Sequence, residues 1–219
     1  MVEVHVVVEG QTEETFVHRV LRPYFWPLGI CFYPQLLGTG GICQYSRARL
    51  QIMTTLRQYG TAFCTTMFDY YGMPDSWPQR EAAGDSPFPQ RPAMIEQAIL
   101  SDIAGELGEG FDRARLIPYV QMHEFEALLF SEPNLLAKGL ELADDAPIQA
   151  IRDEFGTPEE IDDSPETAPS KRIMGLYPSY DKRLDGVFIS QSIGLGPMRA
   201  QCPHFNEWIG KLETLAGRR

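Results

Sequence analysis

Carboxylates carry most of the chemistry available to this chain. Glu9-Gly10-Gln11-Thr12-Glu13-Glu14, Asp69-Tyr70-Tyr71-Gly72 and His123-Glu124-Phe125-Glu126 each set acids beside a glycine, an aromatic or a histidine. Carboxylates gathered at one point without matching cations repel. A hard divalent cation, Mg²⁺ or Mn²⁺, relieves that repulsion through oxygen ligands. Such an ion acts as a Lewis acid and activates bound water, so the chemistry indicated is metal-assisted hydrolysis or phosphoryl chemistry. Glu13 falls on the helical face of Phe16, Val17 and Val20, whereas Glu14 falls with His18 and Leu21 and is the weaker candidate. His123 and Glu126 are three apart and share one face of an expected helix. Glu124 and Glu126 cannot both enter one small site, and spacing favours Glu126. A capping or core role for His123 stays open, and each acid taken singly also fits the positive end of a helix dipole.

Other schemes find less support. There is no Gly-x-Ser-x-Gly elbow, and no cysteine has an evident histidine partner. His5, His18, His123 and His204 are not at zinc spacing, and His5 inside an apolar run reads as a core residue. Gly38-Thr39-Gly40-Gly41 precedes a helical pattern but lacks the Lys-Ser/Thr of a P-loop, so a phosphate cradle and a plain turn remain alternatives. Ser170-Lys171-Arg172 and Tyr180-Asp181-Lys182-Arg183 form a small basic cluster. Beside metal-bound acids it would neutralise phosphoryl charge; otherwise it is a solvated patch.

The elements that must position these groups alternate. Residues 2–8, 30–37, 61–68 and 115–122 read as strands, the second an edge or bulged one because of Pro34. Helical spacing follows each strand: from Thr12, a plausible N-cap, then over 45–59, 91–107 and 123–130. This alternation predicts an α/β fold, a doubly wound and mainly parallel sheet, over residues 1–130. Ligands of such sheets sit beyond the carboxyl ends of the strands, where Glu9, Asp69 and the Glu124/Glu126 pair fall. A Pro-rich stretch over 69–92 is too long for an idle loop. Residues 131–219 read as a helical extension on the same core, with helices over 133–142, 147–155 and 204–215.

Thirty Asp and Glu against 19 Lys and Arg leave a net charge of −11, a poor sign for a generic nucleic-acid binder. Ten of those acids, against Arg152 alone, lie within residues 141–166. The acidity therefore belongs largely to one segment and does not exclude a polyanionic substrate. No stretch approaches the roughly 18 apolar residues of a membrane span. Four scattered cysteines without a Cys-x-x-Cys pair point to reduced thiols in a cytoplasmic protein.

The set Val8-Glu9-Gly10-Gln11-Thr12-Glu13, Phe68-Asp69-Tyr70-Tyr71-Gly72, His123 to Phe130 and Ala168-Pro169-Ser170-Lys171-Arg172 resembles the bacterial domain of unknown function 4276 family over essentially the whole chain. That family in turn looks like a divergent relative of the TOPRIM fold of topoisomerases, primases and nucleases. The resemblance implies a nuclease dependent on Mg²⁺ or Mn²⁺, the ion held by Glu9, Glu13 and Asp69, with Glu124 or Glu126 completing the site. Glu9 or Glu126 would transfer the proton and Lys171 would face the phosphate. It further implies a partner ATPase in antiphage defence. Tyr71 stands where TOPRIM proteins carry a second Asp, and that departure favours the alternative, a non-catalytic regulatory or partner-binding module.

Overall fold

In the computed structural model, which describes residues 1–38, 43–161 and 166–218, an all-parallel sheet carries helices on both faces. Five strands, β1 (Val2–Val8), β2 (Ile30–Leu36), β3 (Phe63–Asp69), β4 (Leu116–Ile117) and β5 (Val120–Gln121), lie in the order β2-β1-β3-β4, with β5 also on β3. Apart from Glu3, β1 is buried throughout, as its run of valines requires of a strand covered on both faces. It pairs with β2 from Val2↔Ile30 to Val8↔Leu36 and with β3 from Val4↔Phe63 to Val8↔Met67. Pro34 is tolerated because β2 is an edge strand. Pro118 divides the expected fourth strand, 115–122, into the two short pieces β4 and β5.

The sequence folds in three blocks. After β1 come α1 (Gln11–Phe16), a wide turn at Val17–Leu21 and α2 (Arg22–Phe25). Next, α3 (Tyr45–Gln58) precedes β3, and the insert of residues 70–89, holding only the short α4 (Arg80–Ala83), leads into α5 (Gln90–Leu107). Beyond β5 the chain is helical: α6 (Pro133–Gly139), α7 (Ala146–Asp153), α8 (Pro169–Leu176), α9 (Val187–Ile193), α10 (Leu195–Gln201) and α11 (Pro203–Glu213). Alternation of side chains along the strands divides the core. Val7, Cys64 and Phe68 pack with α3 and α5, whereas Val4, Val6, Val8 and Met67 pack with α1, α9 and α11. One apolar cluster thus runs from Val2 to Leu215. His5 stacks between Tyr33 and Tyr59 and bonds Gln35 at 2.8 Å.

Three local expectations are corrected. The N-cap of α1 is Gly10, with Thr12 buried inside the helix. Residues 123–130 do not form an α-helix: His123 is left-handed at φ 60°, Glu124 is extended, and a 3-10 helix spans Phe125–Ser131. All seven residues of that helix are buried, so no polar face had to be kept on an α-helical period. The Thr39-Gly40-Gly41 part of the candidate phosphate loop lies outside the described residues. Among the described residues no helix is long and apolar enough to cross a membrane.

Candidate functional site

Winding reverses at β1, because β2 lies on one side of it and β3 on the other. Ligand crevices of open α/β sheets form at such a point. Glu9 leaves the end of β1 here and Asp69 ends β3. Glu13 is one helical turn beyond Glu9, in the first turn of α1 and buried. Its Oε2 accepts the Gly10 backbone N–H at 2.9 Å. A Cβ on Gly10 would lie 2.9 Å from that same oxygen. Gly10 is extended, φ −139°, so it is needed for Glu13 to close over it and not for an unusual backbone angle.

Glu126 enters from the 3-10 helix, fully buried. The left-handed His123 turns the chain between β5 and that helix, and its carbonyl accepts the Tyr71 N–H at 2.7 Å. Histidine is among the non-glycine residues that adopt this conformation most readily. Glu124 is withdrawn from the cluster: it accepts the Ser170 backbone N–H at 2.9 Å and the Ser170 hydroxyl at 3.1 Å. Its charge thus sits on the first turn of α8, where the helix dipole favours an anion. Lys171, the next residue on α8, is exposed and makes no ion pair among the described residues.

The cation among the acids is Lys182. Its Nζ lies 3.0 Å from Asp69 Oδ2, 3.2 Å from Glu126 Oε2 and 3.6 Å from Glu13 Oε1. Asp181 positions it by accepting the Arg183 and Leu184 N–H groups. The Tyr180 hydroxyl donates to Glu126 at 3.4 Å. Gly186 makes room for that approach, since a Cβ there would stand 2.6 Å from the Tyr180 oxygen. The sequence showed Lys182 as one member of a basic cluster, read either as neutralising phosphoryl charge beside the acids or as a solvated patch, without singling it out. Nothing local marks it as a site residue, because Asp69 is 113 positions away.

One ammonium does not balance four carboxyls. Burial, followed by repulsion from Asp69 and Glu13, pushes Glu9 up to about 8. Burial also pushes Glu126 up to about 7, against the pull of Lys182. Glu13 is raised by burial as well. Burial alone would lower Lys182, but Asp69, Glu126 and Glu13 outweigh it and keep the ammonium charged. Asp69 Oδ1 is buried without a hydrogen-bond donor, and Glu126 Oε2 has only the Lys182 ammonium beside it. An all-oxygen donor set with a bare buried acceptor on Asp69 suits a hard dication in chemistry. In spacing it does not yet form a site: among the described residues no three His, Cys, Asp or Glu side chains are arranged to hold a metal ion. The Lys182 ammonium stands where three of the acids converge.

These shifts set a pH dependence. Between their unfolded and folded values the raised carboxyls are protonated when folded and ionised when unfolded, so the native state binds more protons and loses stability as pH rises. Glu159, pushed up to about 7 by burial, acts in the same direction. So does His204: Glu96 and Glu159 raise it against burial, and its contribution is lost as pH climbs through the raised value. Without divalent ions the unfolding midpoint is therefore expected to fall from about pH 6.5 to about pH 8, above the range in which His5, lowered by burial, acts the other way. A midpoint that holds or climbs over that interval in a thermal melt series contradicts the burial of these groups.

No curated protein and no solved structure matches the chain. A family match spans residues 8–213, which takes in Glu9, Glu13, Asp69, Glu124, Glu126 and Lys182. The chain belongs to the domain of unknown function 4276 family (DUF4276).

Proposed function

We propose that this protein is a divalent-metal-dependent phosphodiester hydrolase with a TOPRIM-like site, acting on nucleic acid. The observation that carries this reading is the unbalanced cluster of Glu9, Glu13, Asp69 and Glu126 at the point where the winding of the sheet reverses. Glu9, Glu13 and Asp69 are the residues that would hold Mg²⁺ or Mn²⁺. When bound, such an ion supplies a Lewis acid for the phosphoryl oxygen and lowers the pKa of water. Glu126, oriented by the Tyr180 hydroxyl and pushed up to about 7, is poised near neutral pH to take the proton of the attacking water. Lys182 exchanges its carboxylate partners for the phosphate and offsets the charge that develops there. A partner ATPase in antiphage defence rests on the family resemblance alone.

A second reading has its own observation. Lys182 already gives three of the acids a resident cation, and Tyr71 replaces an expected acid. Both suit a non-catalytic module that regulates or recruits a partner. Calorimetry with Mn²⁺ separates the two. For the hydrolase, Lys182→Met binds Mn²⁺ at least about 10-fold more tightly than wild type, a gain of about 1.4 kcal/mol from removing the competing charge, yet turns over more slowly. Glu9→Gln loses both the binding heat and the cleavage of single- or double-stranded DNA and RNA. Absence of Mn²⁺ heat from wild type and Lys182→Met alike sinks the hydrolase and leaves the module.

A further inference from the structure

The insert between β3 and α5 begins one residue after Asp69, and its first side chain carries an unusual load. Tyr70 is 1% exposed, and its ring meets His123 edge-on at 6.3 Å. The Arg80 guanidinium lies over that ring with its carbon 3.8 Å from the centroid, and the Arg91 guanidinium carbon lies 5.4 Å from it. Arg91 is tied down by a bond from its Nε to the Ser86 carbonyl at 3.1 Å.

Arg80 is not tied down. Among the described residues its side chain has neither an ion pair nor a hydrogen bond, and its Nε–H is buried without an acceptor. Asp75, Glu81 and Asp85 of the same insert are exposed, and none of them pairs with it. A buried donor left unsatisfied costs about 1–3 kcal/mol, more when charged. Stacking on tyrosine offsets part of this and fixes the guanidinium plane, but it leaves the edge of the fork, where the donors lie, unoccupied. A planar cation held rigid with its donors unused is the geometry that receives an oxyanion.

The position says which oxyanion. Tyr70 packs with the α3 and α5 cluster, whereas Asp69 meets Lys182 from the other side of the sheet. Consecutive strand residues point to opposite faces, so Arg80 and the carboxylate cluster flank the carboxyl edge of β3 from its two sides. A ligand engaging both carries one phosphate for each. We propose that Arg80, held on Tyr70, binds a non-scissile phosphate of a polynucleotide whose neighbouring phosphate lies at the Glu9/Asp69 cluster. This rests on the phosphodiester reading of that cluster.

The test is binding of a short fluorescent single-stranded oligonucleotide in EDTA, where no cleavage occurs. It is run with a DNA and an RNA probe over a salt titration, alongside Mn²⁺-dependent hydrolysis of bis(p-nitrophenyl) phosphate, which has a single phosphate. Arg80→Gln is expected to weaken oligonucleotide binding about 10-fold, the scale of one charge-assisted hydrogen bond. It should also flatten the slope of log affinity against log salt by about 0.7. Arg80→Lys keeps the slope and regains only part of the affinity, because an ammonium cannot reproduce the planar fork. Arg80 dependence with the DNA or the RNA probe supports the proposal and identifies the polymer. Binding by Arg80→Gln with wild-type affinity and slope overturns it, as does a wild-type protein that binds neither probe. Arg80-dependent binding in a protein that hydrolyses neither the ester nor the oligonucleotide keeps the phosphate contact and removes the hydrolase.

Discussion

Asp69→Asn is expected to lower metal-dependent phosphodiester cleavage by about 10²- to 10³-fold, the loss seen when one preorganised electrostatic group is removed from an active site. The substitution keeps shape and removes charge at the most connected acid of the cluster. Asp69 Oδ2 holds Lys182 at 3.0 Å, and its other oxygen is buried without a donor. Its charge also raises Glu9 and Glu126. In the Asn variant both carboxyls therefore ionise at lower pH than in wild type. Whatever rate remains should show its acid limb moved to lower pH, a change that a merely loosened fold does not produce. The measurement is a pH–rate profile with Mn²⁺ titration heats on the same samples. A variant that cleaves as fast as wild type, with an unmoved profile, removes Asp69 from the chemistry.

The second large effect is on stability. Trp208→Ala is expected to cost about 3–5 kcal/mol, the range for truncating a large buried aromatic. Trp208, on α11, is 2% exposed. It stacks on Tyr119 with centroids 4.2 Å apart and planes 9° apart, and tilts against Phe205 at 5.7 Å. Its indole N–H donates to Thr65 Oγ1 on β3 at 2.8 Å. Truncation opens a cavity between the last helix and the sheet and removes the donor to the Thr65 oxygen, whose own O–H still reaches the Ile117 carbonyl. Trp208→Phe separates the two losses: it keeps most of the ring and forfeits the hydrogen bond, worth about 1 kcal/mol. Urea unfolding followed by fluorescence and circular dichroism gives both numbers. Glu159 fastens the same helix by accepting the His204 and Phe205 N–H groups at 2.9 Å each. The loss should thus appear as one shifted transition. A separate early phase for the C-terminal helices would show that they unfold apart from the sheet.

Legibility followed the range of the interaction. The valine run of β1 and the helix over 90–107 are visible because burial on one or both faces imposes a period on the residues themselves. Pro34 marked β2 as an edge through a missing donor, whereas residues 115–122 read as one strand and the structure divides them at Pro118. The short helices over Pro169–Leu176, Val187–Ile193 and Leu195–Gln201 had no comparable mark. Each is only two turns long, and their stability comes from packing and caps. Glu124 on Ser170 is such a cap, joining residues 46 positions apart.

The division within the site has the same origin. By itself the sequence determined that the chain alternates strands and helices and that Glu9 and Asp69 leave strand ends. Strand residues and the turns after them are set by local sterics and by a two-residue period. Only the tertiary structure decided that Glu126 enters the cluster while Glu124 caps α8, because a left-handed residue at His123 breaks the helical spacing on which that choice rested. It alone assigned the cation to Lys182, not Lys171, and laid Arg80 on Tyr70. A charge is placed by whichever opposite charges or ring faces the packed chain brings within a few ångströms. No periodicity along the sequence records that proximity.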